Sequence, residues 1–180
     1  MNHPDPALEP CELAHDRFER QTFARLYPQL RRFAAAAAAV DIDPDDLVQT
    51  ALAQALSGGP LSRFDSPEAY LRRAIVNLAS NERRRLGRRR RTMARYTTGW
   101  SEHTADTYPS DLTELSSLSP STRALLYLRE VEGRGYDEIA TMLGVTAASA
   151  RATASRALRR LRAENHGEQN FDAKPERNTQ

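Results

Sequence analysis

Apolar residues recur along this chain mostly at spacings of three to five, which predicts helices, and no segment alternates as a strand would. From about His15, the residues Phe18, Phe23, Leu26, Leu30 and Phe33 fall on one stripe of a helix, which Ala34 to Ala39 prolong. Pro28 is expected to kink or split it. DIDPDD (41–46) is a helix start, with Asp43 as cap, Pro44 in the first position, and Asp45 and Asp46 at the positive end of the dipole. Leu47, Val48, Ala51, Leu52 and Ala55 then form one apolar face, and Ser57-Gly58-Gly59-Pro60 stops the helix. Ser66, Pro67 and Glu68 open another helix with Ala69, Leu71, Ile75, Val76 and Leu78 on a broad apolar face. It runs into ERRRLGRRRR, where Gly87 is expected to break or bend it.

Residues 96–111 are polar, lack helical periodicity and contain Gly99 and Pro109, which marks a flexible linker. Trp100 and Tyr108 lie within it. Helical patterning resumes with Leu115 and Leu118, and Ser119-Pro120 starts a helix carrying Ala124, Leu125, Leu128 and Val131. Residues 136–162 read as two helices joined by a tight turn. Ile139, Ala140 and Leu143 share a face of the first, and Gly144 ends it. Val145 is placed to tuck between the two helices, and Thr146 to cap the second through its hydroxyl. The fold class is therefore all-α. It comprises two small helical domains at 15–95 and 112–162, a linker at 96–111, a flexible leader at 1–14 and a disordered tail at 163–180. Each block has a thin core, so mutual docking or a partner is expected to add to its stability.

Composition narrows the function. The net charge is only +2, but 25 of the 26 basic residues are arginine, and seven of them fall within 83–91. So dense a cluster repels itself, which points to a polyanion partner over a merely solvated helix end. The second helix of the 136–162 pair has Arg151, Arg156, Arg159, Arg160 and Arg162 and no acid up to Arg162, which suggests a helix-turn-helix that reads duplex DNA. An ordinary helical hairpin with a solvated basic face is the plainer alternative. The single cysteine, Cys11, rules out an intrachain disulfide and a Cys-based zinc site. The four histidines are scattered. Capping accounts for Asp41, Asp43, Asp45 and Asp46 without a metal. Glycine-rich phosphate loops, HExxH and GxSxG are absent, so no catalytic residue, cofactor or metal is assigned. The longest apolar run, 33–40, is far short of the roughly 20 residues of a membrane helix, and the N-terminus does not read as a signal peptide. A cytoplasmic location is the expectation. Phe64 and Tyr70 flank a short loop near the arginine cluster, with Asn77 further along. Composition alone favours packing over base contact for this trio.

Taken together, the order of motifs resembles the extracytoplasmic-function class of bacterial RNA polymerase sigma factors. Asp46-Leu47-Val48-Gln49 is similar to the family's DLVQ signature, and YLRRAIVNLASNERRR (70–85) to its aromatic, apolar, asparagine and basic pattern. The segment from Leu118 to Arg162 resembles sigma region 4 through its EIA, LGV and SRA pieces. The resemblance implies a region 2 bundle that docks on the β′ clamp helices of core polymerase. Asp46 and Gln49 would make the polar contacts there, with Leu47 and Val48 mainly in the core. It further implies that Phe64, Tyr70 and Asn77 meet the melted minus-ten element. Arg83, Arg84, Arg85, Arg88, Arg89, Arg90 and Arg91 would hold its phosphates. Region 4 would read the minus-thirty-five element with Thr146, Ala147, Ser149, Arg151, Ala152, Ser155 and Arg156, and touch the β flap. Arg151 is the leading candidate for a direct contact. Expected partners are core RNA polymerase, promoter DNA and, as is frequent in the family, an anti-sigma factor.

Tyr70 stands where the family often has tryptophan, and Ala148, Ala150 and Ala152 where it often has glycine, valine and serine. Base specificity is therefore not carried over. The competing reading is a stand-alone helix-turn-helix regulator, which predicts a dimer and a palindromic site. Nothing beyond charge favours an enzyme such as a nuclease.

Overall fold

The computed structural model describes residues 9–38, 41–96, 115 and 117–169. All regular structure among them is helical. The N-terminal block consists of α1 (Glu9–Ala37), α2 (Pro44–Ser57), a single 3-10 turn (Leu61–Arg63) and α3 (Pro67–Tyr96). The C-terminal block consists of α4 (Pro120–Leu126), a π turn (Tyr127–Val131), α5 (Tyr136–Leu143) and α6 (Ala147–Gln169).

Local chemistry explains the boundaries. Asp43 caps α2 by accepting from the Asp45 amide at 2.8 Å, with Pro44 in the first turn. Ser66 accepts from the Ala69 amide, Ser119 from Thr122 and Thr146 from Ser149, so α3, α4 and α6 each start on a hydroxyl cap. At α5 the Glu138 carboxylate instead reaches back to accept from the Gly135 amide at 2.9 Å. Gly144 takes φ +69° and closes α5 with a left-handed turn.

Several expectations change. Helix α1 begins at Glu9, inside the segment read as a leader, because a glutamate followed by Pro10 suits a first turn. Pro28 does not split it, and α3 passes through Gly87 without a break. Helix α6 runs to Gln169, past the start of the expected tail, since Ala163 and Glu164 propagate a helix already begun. Val145 and Val131 are exposed, at 44% and 69%. The π turn at 127–131 inserts an extra residue and rotates Val131 off the apolar stripe that strict α periodicity assigned to it. The side chain of Phe18, the expected linker beyond Tyr96, and Trp100 and Tyr108 lie outside the described residues.

The core is one cluster that crosses both blocks. Leu30, Phe33, Val48, Leu61, Leu71 and Ile75 fill the α1–α2–α3 bundle, and Leu128, Ile139, Ala150 and Ala154 fill the second. Helices α1 and α3 each also pack against the C-terminal block, α1 on α4 and α3 on α5. Phe33 of α1 meets Tyr127 edge to face, with ring centroids 6.1 Å apart.

Candidate nucleic-acid and polymerase interface

Helix α2 presents its first turn at the surface. Leu47 and Val48 are buried, while Asp46 and Gln49 are exposed, so the four-residue signature divides into two anchors and two available polar groups. A groove of about 310 Å³ opens beside them between α2 and α3. Asp41, Asp43, Asp46, Glu82 and Arg85 line it. Arg85 pairs with Glu82 at 3.0 Å. Behind the groove, Asp45 accepts from the Tyr27 hydroxyl and from Arg31 Nε at 3.0 Å. Those two hydrogen bonds, Tyr27 first, hold the Asp45 carboxyl below its ordinary range. Among the described residues no three His, Cys, Asp or Glu side chains are placed to share a metal.

Phe64 and Tyr70 do come together. Their rings stack with centroids 3.9 Å apart, and the Arg63 guanidinium lies 4.5 Å from the Phe64 centroid. Arg63 also donates to the Ala55 carbonyl, which ties this aromatic platform to the end of α2. Both rings are half-buried, and Asn77 is exposed further along α3. The packing and base-contact alternatives thus meet in one pair of rings, each seated on the other and neither fully buried. The loop before them is fixed by Glu19, whose carboxylate accepts from the Leu61 amide at 2.9 Å.

The arginine run occupies the last turns of α3. Arg84, Arg85, Arg88, Arg89 and Arg91 are exposed, while the Arg90 side chain is outside the described set. Arg83 differs from its neighbours: it donates to the Leu118 carbonyl at 2.7 Å, across to the C-terminal block.

In the helix-turn-helix, α5 and α6 pack through Ile139, Ala150 and Ala154. Ser149, Arg151, Ala152, Ser155 and Arg156 face outward, and Ala147 is half-buried. Thr146 serves as the cap. Arg151 does not extend freely. Its guanidinium sits 5.3 Å from the Tyr136 ring centroid, and Arg129 sits 5.0 Å from the same ring. Glu138, which fixes the start of α5, is held below the usual carboxylate range, first by the Gly135 amide and then by Arg134.

Several side chains that hold these elements in place escaped the sequence reading. Tyr136, under Arg151, is one. Arg72 and Arg123 are others: both are buried, Arg72 completely. Periodicity offered a signal for Arg72, which shares the 68–72–75–76–79 face with Ile75, Val76 and Ala79 and stands four residues after Glu68. Its partner Glu132 comes from the other block, and no local pattern reveals that.

An all-α chain with an acid-lined two-helix edge, a basic helix end and an exposed helix-turn-helix is the layout of a transcription initiation factor. The Sigma-70 region 2 family matches residues 22–89, and the Sigma-70 region 4 family matches residues 112–161. The chain belongs to the sigma-70 family, in its extracytoplasmic-function class, and is an alternative sigma factor for transcription initiation. Core RNA polymerase and promoter DNA are the partners that these two regions imply. No curated protein sequence matches the chain. Among solved structures the fold is similar to that of the sigma factor RpoE in complex with the anti-sigma factor NepR from Bartonella quintana. The TM-score is 0.59 at 24% identity, covering 80% of this chain and 94% of that one. No described helix is long and apolar enough to cross a membrane.

Proposed function

We propose that this sigma factor engages polymerase through the exposed polar pair of α2, opens the minus-ten element on α3, and reads the minus-thirty-five element with α6. Asp46 and Gln49 meet the β′ clamp helices. The Phe64–Tyr70 platform and Asn77 receive unstacked bases, and Arg84, Arg85 and Arg88 to Arg91 hold the adjoining phosphates. Arg151, set by Tyr136, enters the major groove with Ser149, Ala152, Ser155 and Arg156 beside it, and region 4 meets the β flap. The protein has no catalytic role of its own and acts in the cytoplasm. An anti-sigma factor joins the partners, by analogy with the RpoE–NepR complex.

The observation that carries this reading is the split of the 46–49 signature into two buried anchors and two exposed polar groups, on the same bundle as a solvent-facing arginine run. The test is in-vitro transcription with core polymerase across a promoter library. Initiation at a defined subset of promoters is the expected result. No transcript from any template, with no binding to core enzyme, would overturn it.

A further inference from the structure

One arginine holds the aromatic platform from behind. Arg63 ends the 3-10 turn and folds back on the last turn of α2, where it donates to the Ala55 carbonyl at 2.8 Å. The last turn of a helix leaves carbonyls without partners of their own. Here Gln54 accepts from the Ser57 hydroxyl, Leu56 from the Gly59 amide and Ala55 from Arg63, so each is given a donor. The guanidinium passes so close to Gly58 that a Cβ there would stand 2.4 Å from one of its terminal nitrogens. Gly58 has φ −100°, which other residues adopt, so it is the guanidinium and not the backbone that requires glycine there.

The same guanidinium lies 4.5 Å from the Phe64 ring centroid, and the Tyr70 centroid lies 3.9 Å from it with 25° between the ring planes. Two flat groups this near one ring fit only on its opposite faces, which orders the stack Arg63–Phe64–Tyr70. A base slid between two rings needs them roughly 7 Å apart, two stacking steps of about 3.4 Å. Phe64 and Tyr70 are too close for that, and Arg63 covers the other face of Phe64. What remains is the outer face of Tyr70. Tyr70 stands seven residues before the exposed Asn77, and a helix brings residues seven apart to one side.

We infer that Arg63 is a positioning residue for promoter opening: it backs Phe64, so that the platform offers one fixed face, on Tyr70, to one unstacked base. This rests on the minus-ten role proposed above for the platform. A ring free to turn loses conformational freedom when a base stacks on it, and a ring already clamped does not. Arg63 acts through Phe64 and the end of α2, with one donor spent on a carbonyl and its plane on a ring. As a residue it is exposed, so a phosphate contact is the rival role. The salt dependence of DNA binding separates the two, because only a phosphate contact releases counterions.

The test disturbs the clamp from both sides, with Arg63→Met and Gly58→Ala. The free full-length chain is labelled with 3-fluorotyrosine. Tyr70 is one of six tyrosines, and its resonance is assigned by its loss in Tyr70→Phe. Both substitutions should shift or broaden that resonance, with the helical circular dichroism unchanged. The second measurement adds core polymerase and a promoter that the complex transcribes, with 2-aminopurine at each non-template minus-ten position in turn. One position should be quenched by stacking. Both variants should lower open-complex occupancy about ten-fold, the worth of one base stack, at unchanged closed-complex affinity. The double variant should lose no more than either single one, because both break the same contact. The slope of affinity against salt should stay that of the parent. A slope smaller by about one would make Arg63 a phosphate contact and overturn the positioning role. Additive losses, or a Tyr70 resonance that neither substitution moves, would overturn the clamp, and quenching at two positions the single face. A chain that never transcribes sinks the proposed function instead, and the fluorine signal of the free protein still decides the clamp.

Discussion

Arg151 illustrates what a single side chain contributes here. A long arginine loses conformational freedom when it grips DNA, and resting on the Tyr136 ring removes part of that freedom beforehand. Arg151→Ala should cost about 1–3 kcal/mol in promoter binding by the polymerase complex, with no change in the melting of the free protein. Comparing titrations on matched and scrambled minus-thirty-five sequences checks it: a loss confined to the matched site assigns a base contact, and an equal loss on both assigns a phosphate. Asp45 makes a second prediction, about acid. Its folded pKa lies below the ordinary 3.8 because Tyr27 and Arg31 favour the carboxylate. The stability it adds is thus fully present above 3.8 and is lost as the pH falls from there through the lowered folded value. Asp45→Asn should flatten that acid limb in urea melts recorded between neutral pH and the acid transition. An unchanged limb would place the acid sensitivity elsewhere.

At the scale of the element, the turn between α5 and α6 couples a backbone requirement to Arg73, which donates to the Thr141 carbonyl at 2.8 Å. Gly144 needs φ +69°, and a Cβ there would stand 3.0 Å from Arg73 Nε. Gly133 needs almost the same angle, +68°, with nothing within 4 Å. Both alanine substitutions should therefore lose about 1 kcal/mol from the left-handed backbone. Gly144→Ala alone should also displace Arg73 from the Thr141 carbonyl and so lose more stability than Gly133→Ala. Denaturant melts of the two variants separate the two effects, and equal losses would show that Arg73 adjusts freely. Most of this element was legible in advance: the glycine stop, the Thr146 cap and the Ile139 face follow from local chemistry. Val145 was not, because whether a side chain after a turn finds a pocket depends on how the two helices cross. Val131 was missed because a π turn breaks the period on which its placement relied.

For the molecule as a whole, Asp46 and Gln49 are exposed while the two blocks pack on each other, so the proposed polymerase contact is available in the free chain. Changing both to alanine should weaken core-enzyme binding, at a folding cost below about 1 kcal/mol from the lost charge at the start of α2. Competition for core enzyme against the unmodified chain measures it. Undiminished binding would reduce the 46–49 signature to its structural half, Leu47 and Val48.

The sequence by itself determined the helices, their caps, the division into two blocks and the order of motifs that marks the family. Each of these depends on neighbours within a turn or two: a hydroxyl and an amide, a glycine and its φ, a repeating apolar face. Only the tertiary structure decided how the blocks meet. Arg72 and Glu132 are sixty residues apart, and the Ala37 carbonyl that receives Arg123 looks in sequence like any other helix end. The crowded arginines of 83–91 announced a polyanion partner. Arg72 did stand on the apolar face of its helix, but a buried charge is intelligible only once its partner is known, and its partner Glu132 lies in the other block.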